Sequence, residues 1–274
     1  MDILTFMVIS AILAVDSKRL IRRNYFVMSI FWERSYFKEL EQAKKEGWPI
    51  LLPVGTIEYH STHCPYGCDA LMAQGVAHRV AEEIDAVVMP TIWYGVSSYA
   101  VGGPETNTIH VDCDVLEDYV YSILKSLFKS GFNKNIYLLI AHQTEDYNPM
   151  ALACMKAARK LVFEYLEETG GYGWWGRNDC KDFYENLQGK DNPWNWVRIL
   201  NLSNSLLIPG LGDCGHADKN ECAWLEALYP GSIKLERLAD TDDWFAADAA
   251  QMDVEDGKKQ IKAITDFLVK MMSN

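Results

Sequence analysis

"ILLPVGTIEYHSTHCPYGCDALMAQ", residues 50–74, decides the fold. It opens inside a continuous apolar run, "PILLPV" at 49–54, and such a run predicts a strand covered on both faces. It closes inside "ALMAQGVAHRVAEEI" at 70–84, where Leu71, Val76, Val80 and Ile84 recur every four or five residues along one helical face. Between strand and helix lie Glu58, His60, His63, Cys64, Cys68 and Asp69.

The same rhythm continues in both directions. Helices are predicted over "YFKELEQAKKEG" (36–47, closed by Gly47), 115–131 (Gly131 as C-cap), 150–171 and 258–272, with strands at 86–90, 135–141 and 197–202. Strand and helix alternate at the interval a βαβ unit requires, so the chain reads as an α/β layer fold with a mainly parallel sheet. There is no internal repeat and no long low-complexity linker, which favours one domain. The stretch 170–196 breaks the pattern with Gly, Asn, Asp and Pro punctuation and four of the nine tryptophans. It is expected to be an insertion, packed on the surface or at a subunit contact, or else a lid.

Composition narrows the function classes. With 49% hydrophobic and 23% charged residues in 274, the chain is an ordinary globular protein able to bury a large core. A formal net charge of −12 argues against nucleic acid or an anionic membrane as partner. Seven cysteines, an odd number spread along the chain, suit reduced thiols in the cytoplasm better than a disulfide framework. The apolar run from Ile3 to Val15 follows an acid and precedes the basic cluster, the reverse of a secretory signal. It is also shorter than the roughly 18 to 20 residues of a spanning helix. A buried extension, an uncleaved anchor, or a functional start at Met28 are its readings.

Glu58 and His60 follow one predicted strand and point to the same side. Asp69 comes just before a helix, where it would also pass as an N-cap, and His142 follows a second strand. Sites in open parallel sheets form beyond the carboxyl ends of strands, so these four side chains converge naturally. Imidazole with carboxylate suits zinc, manganese or iron(II), and an aspartate able to bridge would allow two ions.

The pattern resembles the signature of the creatininase (creatinine amidohydrolase) family, whose general form is PxGSxEQHGPHLPxxTD. Pro53, Gly55, Glu58, His60, His63, Pro65 and Asp69 fall in register, "IYLLIAHQTEDYN" matches the family's next block around His142, and "HADKNECA" matches its HAxxxET block through His216 and Glu221. The resemblance spans roughly residues 30–270. It implies an α/β fold with helices on both faces of the sheet, a homo-oligomer (often a hexamer), and one or two divalent metals per subunit. Glu58, Asp69 and His142 would hold one metal, and His60 and Asp69 the other. His216 would act on the substrate as general acid/base, with Glu221 as its orienter or as an additional ligand. Residues 1–27 lie outside the resemblance and read as a dispensable extension of a single domain, 28–274.

Departures from the pattern fall where substrate would sit. Ile140 and Ala141 replace an asparagine and a glycine, Ser61 replaces a glycine, and no Glu-His pair stands in "SSYAVGGPETNTIHV" (97–111). Thr144 occupies the position of a ligand glutamate, so either Glu145 or Glu221 supplies it or the second metal site is weak. His78 and His110 match nothing and read as structural or surface residues. The leading expectation is hydrolysis of a C–N amide bond in a cyclic amide, formamide or small peptide-like substrate by metal-bound hydroxide. Two rivals are a metal-binding assembly subunit without activity and a cysteine hydrolase using Cys64 with His60 or His63. The thiols Cys64 and Cys68 fall where the family requires none.

Overall fold

The computed structural model describes residues 27–143, 148–206, 208 and 210–273; the apolar run at 3–15 and Glu145 lie outside them. Five parallel strands form one sheet in the order β1-β3-β2-β4-β5. They are β1 (Ile30–Phe31), β2 (Ile50–Val54), β3 (Val87–Val88), β4 (Ile136–Ile140) and β5 (Val197–Asn201). Six longer helices accompany them: α1 (Phe37–Glu46), α2 (Cys68–Ala81), α3 (Cys113–Lys129), α4 (Pro149–Gly170), α5 (Lys219–Leu228) and α6 (Val254–Ser273).

The pleat of the central strands divides the core in two. Ile50, Leu52 and Val54 join Ile136, Leu138 and Ile140 on one face, packed by Leu116, Val120 and Leu124 of α3 and by Ala153, Ala157 and Leu161 of α4. Leu51, Tyr137 and Leu139 face the other way, onto Met72 and Val76 of α2, Trp224 and Leu225 of α5, and Ile261, Ile264 and Leu268 of α6. Both faces are therefore covered, which is why these strands read as unbroken apolar runs.

Differences from the sequence reading are local. Helix α2 starts at Cys68, two residues early, so Asp69 lies in its first turn and is not its N-cap; Gly67 takes that place. Strand β1 and helix α5 had no expectation. The segment 170–196 folds into short helical turns on α4: the rings of Trp174 and Trp194 lie 6.4 and 5.2 Å from Phe163, and Arg159 stacks on Trp194. Among the described residues no helix is long and apolar enough to cross a membrane.

Strands β2 and β4 run in register to Val54 and Ile140. From there α2 carries the chain to β3 on one side, and α4 carries it to β5 on the other. This divergence opens a crevice beyond the carboxyl ends of the two strands, the usual ligand position in such sheets.

Candidate metal centre

The crevice is a cleft of about 180 Å³ lined by Glu58, Asp69, His142, His216 and Glu221, among others. Four elements deliver them: the turn after β2, the first turn of α2, the end of β4, and the start of α5. Each of the three histidines precedes a non-glycine residue in the left-handed region: Ser61 (φ 60°), Gln143 (φ 57°) and Ala217 (φ 50°). Such a conformation costs on the order of 1 kcal/mol per residue and is tolerated where surrounding contacts impose it, commonly at functional sites.

Hydrogen bonds fix two imidazoles. His60 Nδ1–H donates to the Glu58 carbonyl at 3.0 Å, which turns Nε2 towards the cleft. That Nε2 is buried without a hydrogen-bond partner, 3.5 Å from Asp69 Oδ1 and 3.6 Å from Glu221 Oε2. His216 Nε2–H donates to the Tyr59 carbonyl at 2.8 Å, so Nδ1 is the free base, 3.9 Å from Glu58 Oε2. The His216 ring lies 4.2 Å from that of His60 and meets Phe245 edge-on. His142 Nδ1 faces Asp69 Oδ2 at 3.1 Å and Glu58 Oε2 at 3.4 Å.

The electrostatics are those of carboxylates crowded in a dry site. Burial raises Glu58 and Glu221 to about 7, only partly opposed by His142 and His60 respectively. Burial also pushes Asp69 up, but His60 and His142 outweigh it and hold the carboxyl well below its usual range. For His60 burial acts downward, yet Glu221 and Asp69 together lift it to about 10. His216 is lowered to about 3 by burial and by neighbouring His60, so it is neutral at physiological pH.

Three carboxylates share this cleft, and among the described residues no lysine or arginine lines it. Buried charges require a counter-charge, so the arrangement calls for a cation. The donor atoms of Glu58, Asp69 and His142 lie within 4.8 Å of one another, as do those of Glu58, His60 and His216 and those of His60, Cys68 and Glu221. Together with the orphaned Nε2 of His60, this donor set fits divalent metal.

The structure thus gathers Glu58, His60, Asp69, His142, His216 and Glu221, while Glu145 falls outside the described residues. Glu221 does not serve His216: its Oε2 accepts the Ala217 N–H and confronts His60. His63 supports the loop through Ala217, whose carbonyl accepts its Nε2–H at 3.2 Å, and also lies 3.2 Å from Cys222 Sγ. His78 packs edge-on against Phe31, and His110 accepts the Ser98 N–H, both away from the cleft. Sequence reasoning missed Asp218, the N-cap of α5, which accepts the Asn220 and Glu221 N–H groups and so aims Glu221. An aspartate three residues before an acid at a helix start is the signal that could have found it. Asp218→Ala is expected to cost about 1 kcal/mol, lowering the melting temperature by about 2–4 °C. An unchanged melting temperature would rule out the cap's contribution.

The family model for creatininase, creatinine amidohydrolase, matches residues 33–272. The chain belongs to the creatininase family. It is 32% identical over 224 residues to a creatinine amidohydrolase from Pseudomonas putida, covering 80% of this chain and 77% of that one. It is also 26% identical over 214 residues to a 3-dehydro-scyllo-inosose hydrolase from Thermotoga maritima, covering 78% of this chain but only 60% of the relative's length. A 66-residue stretch is 39% identical to a mycofactocin precursor peptide peptidase from Mycolicibacterium smegmatis, over 22% of this chain and 27% of the relative. Among solved structures, a creatininase described as the Mn form superposes with a TM-score of 0.67 at 22% identity, over 89% of this chain and 97% of that one. A creatininase variant described as Zn–Zn type gives 0.66 at 22% identity, over 89% and 96%. Both share the family's parallel sheet with helices on its two faces.

Proposed function

We propose that this creatininase-family chain is a metal-dependent hydrolase that cleaves a C–N amide bond in a small substrate. The observation that carries the reading is the group of buried carboxylates facing imidazole nitrogens, with no lysine or arginine among the described residues of the lining. Glu58, Asp69 and His142 would hold one divalent ion, and Asp69 also reaches the His60 side, where a second would lie. The Mn and Zn–Zn forms of creatininases support zinc or manganese, and the donors equally suit iron(II). When bound, a divalent cation supplies a water of lowered pKa and a Lewis acid for a carbonyl oxygen.

The chain's own residues supply the rest. The Glu58 carbonyl locks His60 in the tautomer that presents Nε2 to the centre. His216, neutral and held by Tyr59, offers Nδ1 to take a proton from the attacking water and return it to the leaving nitrogen. The new C–O bond then replaces the C–N bond, and the amine departs carrying that proton. Ala100, Val101, Phe245 and the 85% exposed Trp244 give the mouth next to His216 an apolar part, beside Asp218 and Asp248. That lining, with no acid or imidazole from the 97–111 loop in it, speaks against creatinine itself. The names of three relatives carry three different substrates, so family membership alone does not fix the substrate of this chain.

Purified protein is expected to contain at least one equivalent of transition metal and to hydrolyse a member of a panel of lactams, formamides and creatinine. Chelation should abolish that turnover, and metal should restore it. His216→Gln is expected to lower kcat by roughly 10²- to 10⁴-fold with the metal content unchanged. Protein without stoichiometric metal would overturn the proposal. Metal with no turnover on the panel, and no effect of His216→Gln, would favour a binding subunit.

A further inference from the structure

The metal centre lies at the bottom of a wider opening, and that opening has a chemistry of its own. The inner cleft of about 180 Å³ falls below the roughly 300–1,000 Å³ of small-molecule sites, so it holds little more than the reacting group. Beyond it lies an outer cavity of about 560 Å³, and Ala100, Val101, Gly215 and His216 border both. Trp244 and Phe245 give the outer cavity an aromatic wall: their rings meet edge-on at 5.9 Å, and Phe245 in turn lies 5.2 Å from the His216 ring. We infer that this wall is the subsite for the leaving amine, and that the amine carries an aromatic group and no carboxylate. The inference rests on the amide-hydrolase reading above and deepens it by naming the class of substrate.

His216 sets which side of the scissile bond faces the wall. Its Nδ1 must stand beside the leaving nitrogen to protonate it, so whatever that nitrogen bears emerges where His216 meets the outer cavity. Trp244 is almost wholly exposed there, and an aromatic substituent would cover its face. The wall is tied to the site by one residue. Tyr59 takes the His216 Nε2–H on its carbonyl and donates its hydroxyl to Asp243 Oδ2 at 2.7 Å, so it fixes both the base and the residue before Trp244. Ala100 and Val101 are positioned with equal care. Ser98 and Tyr99 before them both adopt left-handed backbone, φ 62° and 50°, with the Ser98 N–H held by His110 Nδ1 at 3.1 Å. Consecutive non-glycine residues in that region are strained, and such strain clusters at ligand sites. Charge decides against a carboxylate. Among the described residues, the outer lining includes Asp218 and Asp248 and no lysine or arginine. Asp218 accepts the N–H groups of Gly215, Asn220 and Glu221, and Asp248 pairs with Lys219 at 3.2 Å. Lys219 is thus already engaged, and a carboxylate on the amine would meet two acids without a free counter-charge.

The test uses the full metal-loaded chain and a series of N-hydroxyformamides, whose hydroxamate binds divalent metal and whose nitrogen stands in for the leaving nitrogen. Isothermal titration should show the N-phenethyl compound binding about 10-fold or more tightly than the N-methyl one, as covering roughly 60 Å² of apolar surface would give. N-formyl-N-hydroxyphenylalanine, the same compound with a carboxylate added, should lose that advantage. Trp244→Ala should remove most of it, and the exposed position lets the variant fold. In turnover, N-formylphenethylamine should be hydrolysed with a kcat/KM about 10-fold or more above that of N-formylphenylalanine. Equal or tighter binding of the carboxylate compound overturns this inference alone, as does the absence of a phenethyl advantage. An advantage that survives Trp244→Ala overturns it too, and a changed oligomer mass in that variant would then place Trp244 in a subunit contact. Binding as expected with no turnover of either formamide overturns the hydrolase reading and upholds the wall as an aromatic ligand site. Protein that holds no metal and binds none of the compounds overturns both. The ligand series on the unaltered chain needs no variant, so a poorly folding Trp244→Ala does not shield the proposal.

Discussion

Asp69→Asn is expected to empty the centre of metal and to abolish turnover while leaving the fold intact. Asp69 meets both halves of the site, with Oδ1 3.5 Å from His60 Nε2 and Oδ2 3.1 Å from His142 Nδ1. It is also the carboxyl most firmly kept ionised, through those same two imidazoles. Asparagine keeps the shape and removes the charge that either ion would share. Loss of an outer hydrogen-bond partner of a ligand already weakens metal by about 10- to 100-fold, and loss of a shared ligand should exceed that. The change in stability should be small by comparison. An acid in the first turn of α2 contributes about 0.3–1 kcal/mol through the helix dipole. In the metal-free variant His60 and His142 lose their counter-charge and become neutral rather than unfold the protein. Metal content by mass spectrometry and the melting temperature of the stripped protein separate the two effects. A variant that retained stoichiometric metal would refute the placement of Asp69 at the heart of the centre.

The sequence carried this much of the site because its parts are short in range and repeat the geometry of the sheet. Glu58 and His60 follow one buried strand and His142 another, and two parallel strands in register must deliver their ends to one crevice. Elements without such a signal stayed hidden. Strand β1 is two residues long and exists through its pairing with β3. Helix α5 buries Glu221, Cys222, Ala223, Trp224 and Leu225 in succession, so it shows no amphipathic period. The direction of Glu221 was illegible for a related reason. Nearness in sequence to His216 suggested a pair, whereas the left-handed turn at Ala217 and the cap at Asp218 swing the carboxylate towards His60.

Gly55→Ala is the second large effect, and it links packing to chemistry. Gly55 follows β2 directly, where the strand end passes under the first turn of α2. A Cβ built on Gly55 would overlap the backbone N and Cα of Ala70 and lie 2.8 Å from the Asp69 carbonyl carbon. Ordinary carbon contacts stand at about 3.5–4.0 Å, so the two elements must part by close to an ångström. Retreat on the other side is blocked by Gly95, whose own missing Cβ would come within 2.5 Å of the Gly55 carbonyl oxygen. Overpacking against backbone on both sides is expected to cost about 3 kcal/mol or more. Protein that still folds should bind metal poorly, because the forced displacement carries Asp69 away from Glu58, His60 and His142. Ala70→Gly should not rescue it, since the atoms in the way are backbone and remain after the methyl is removed. Thermal melting of the single and double variants, with metal content on each, checks the argument. A Gly55→Ala protein with an unchanged melting temperature and full metal would show that the strand end and the helix are not as tightly joined as the geometry requires. The close approach at Gly55 is therefore a condition for the site as well as for the core: it lets a helix bring its second residue within reach of ligands that the sheet delivers.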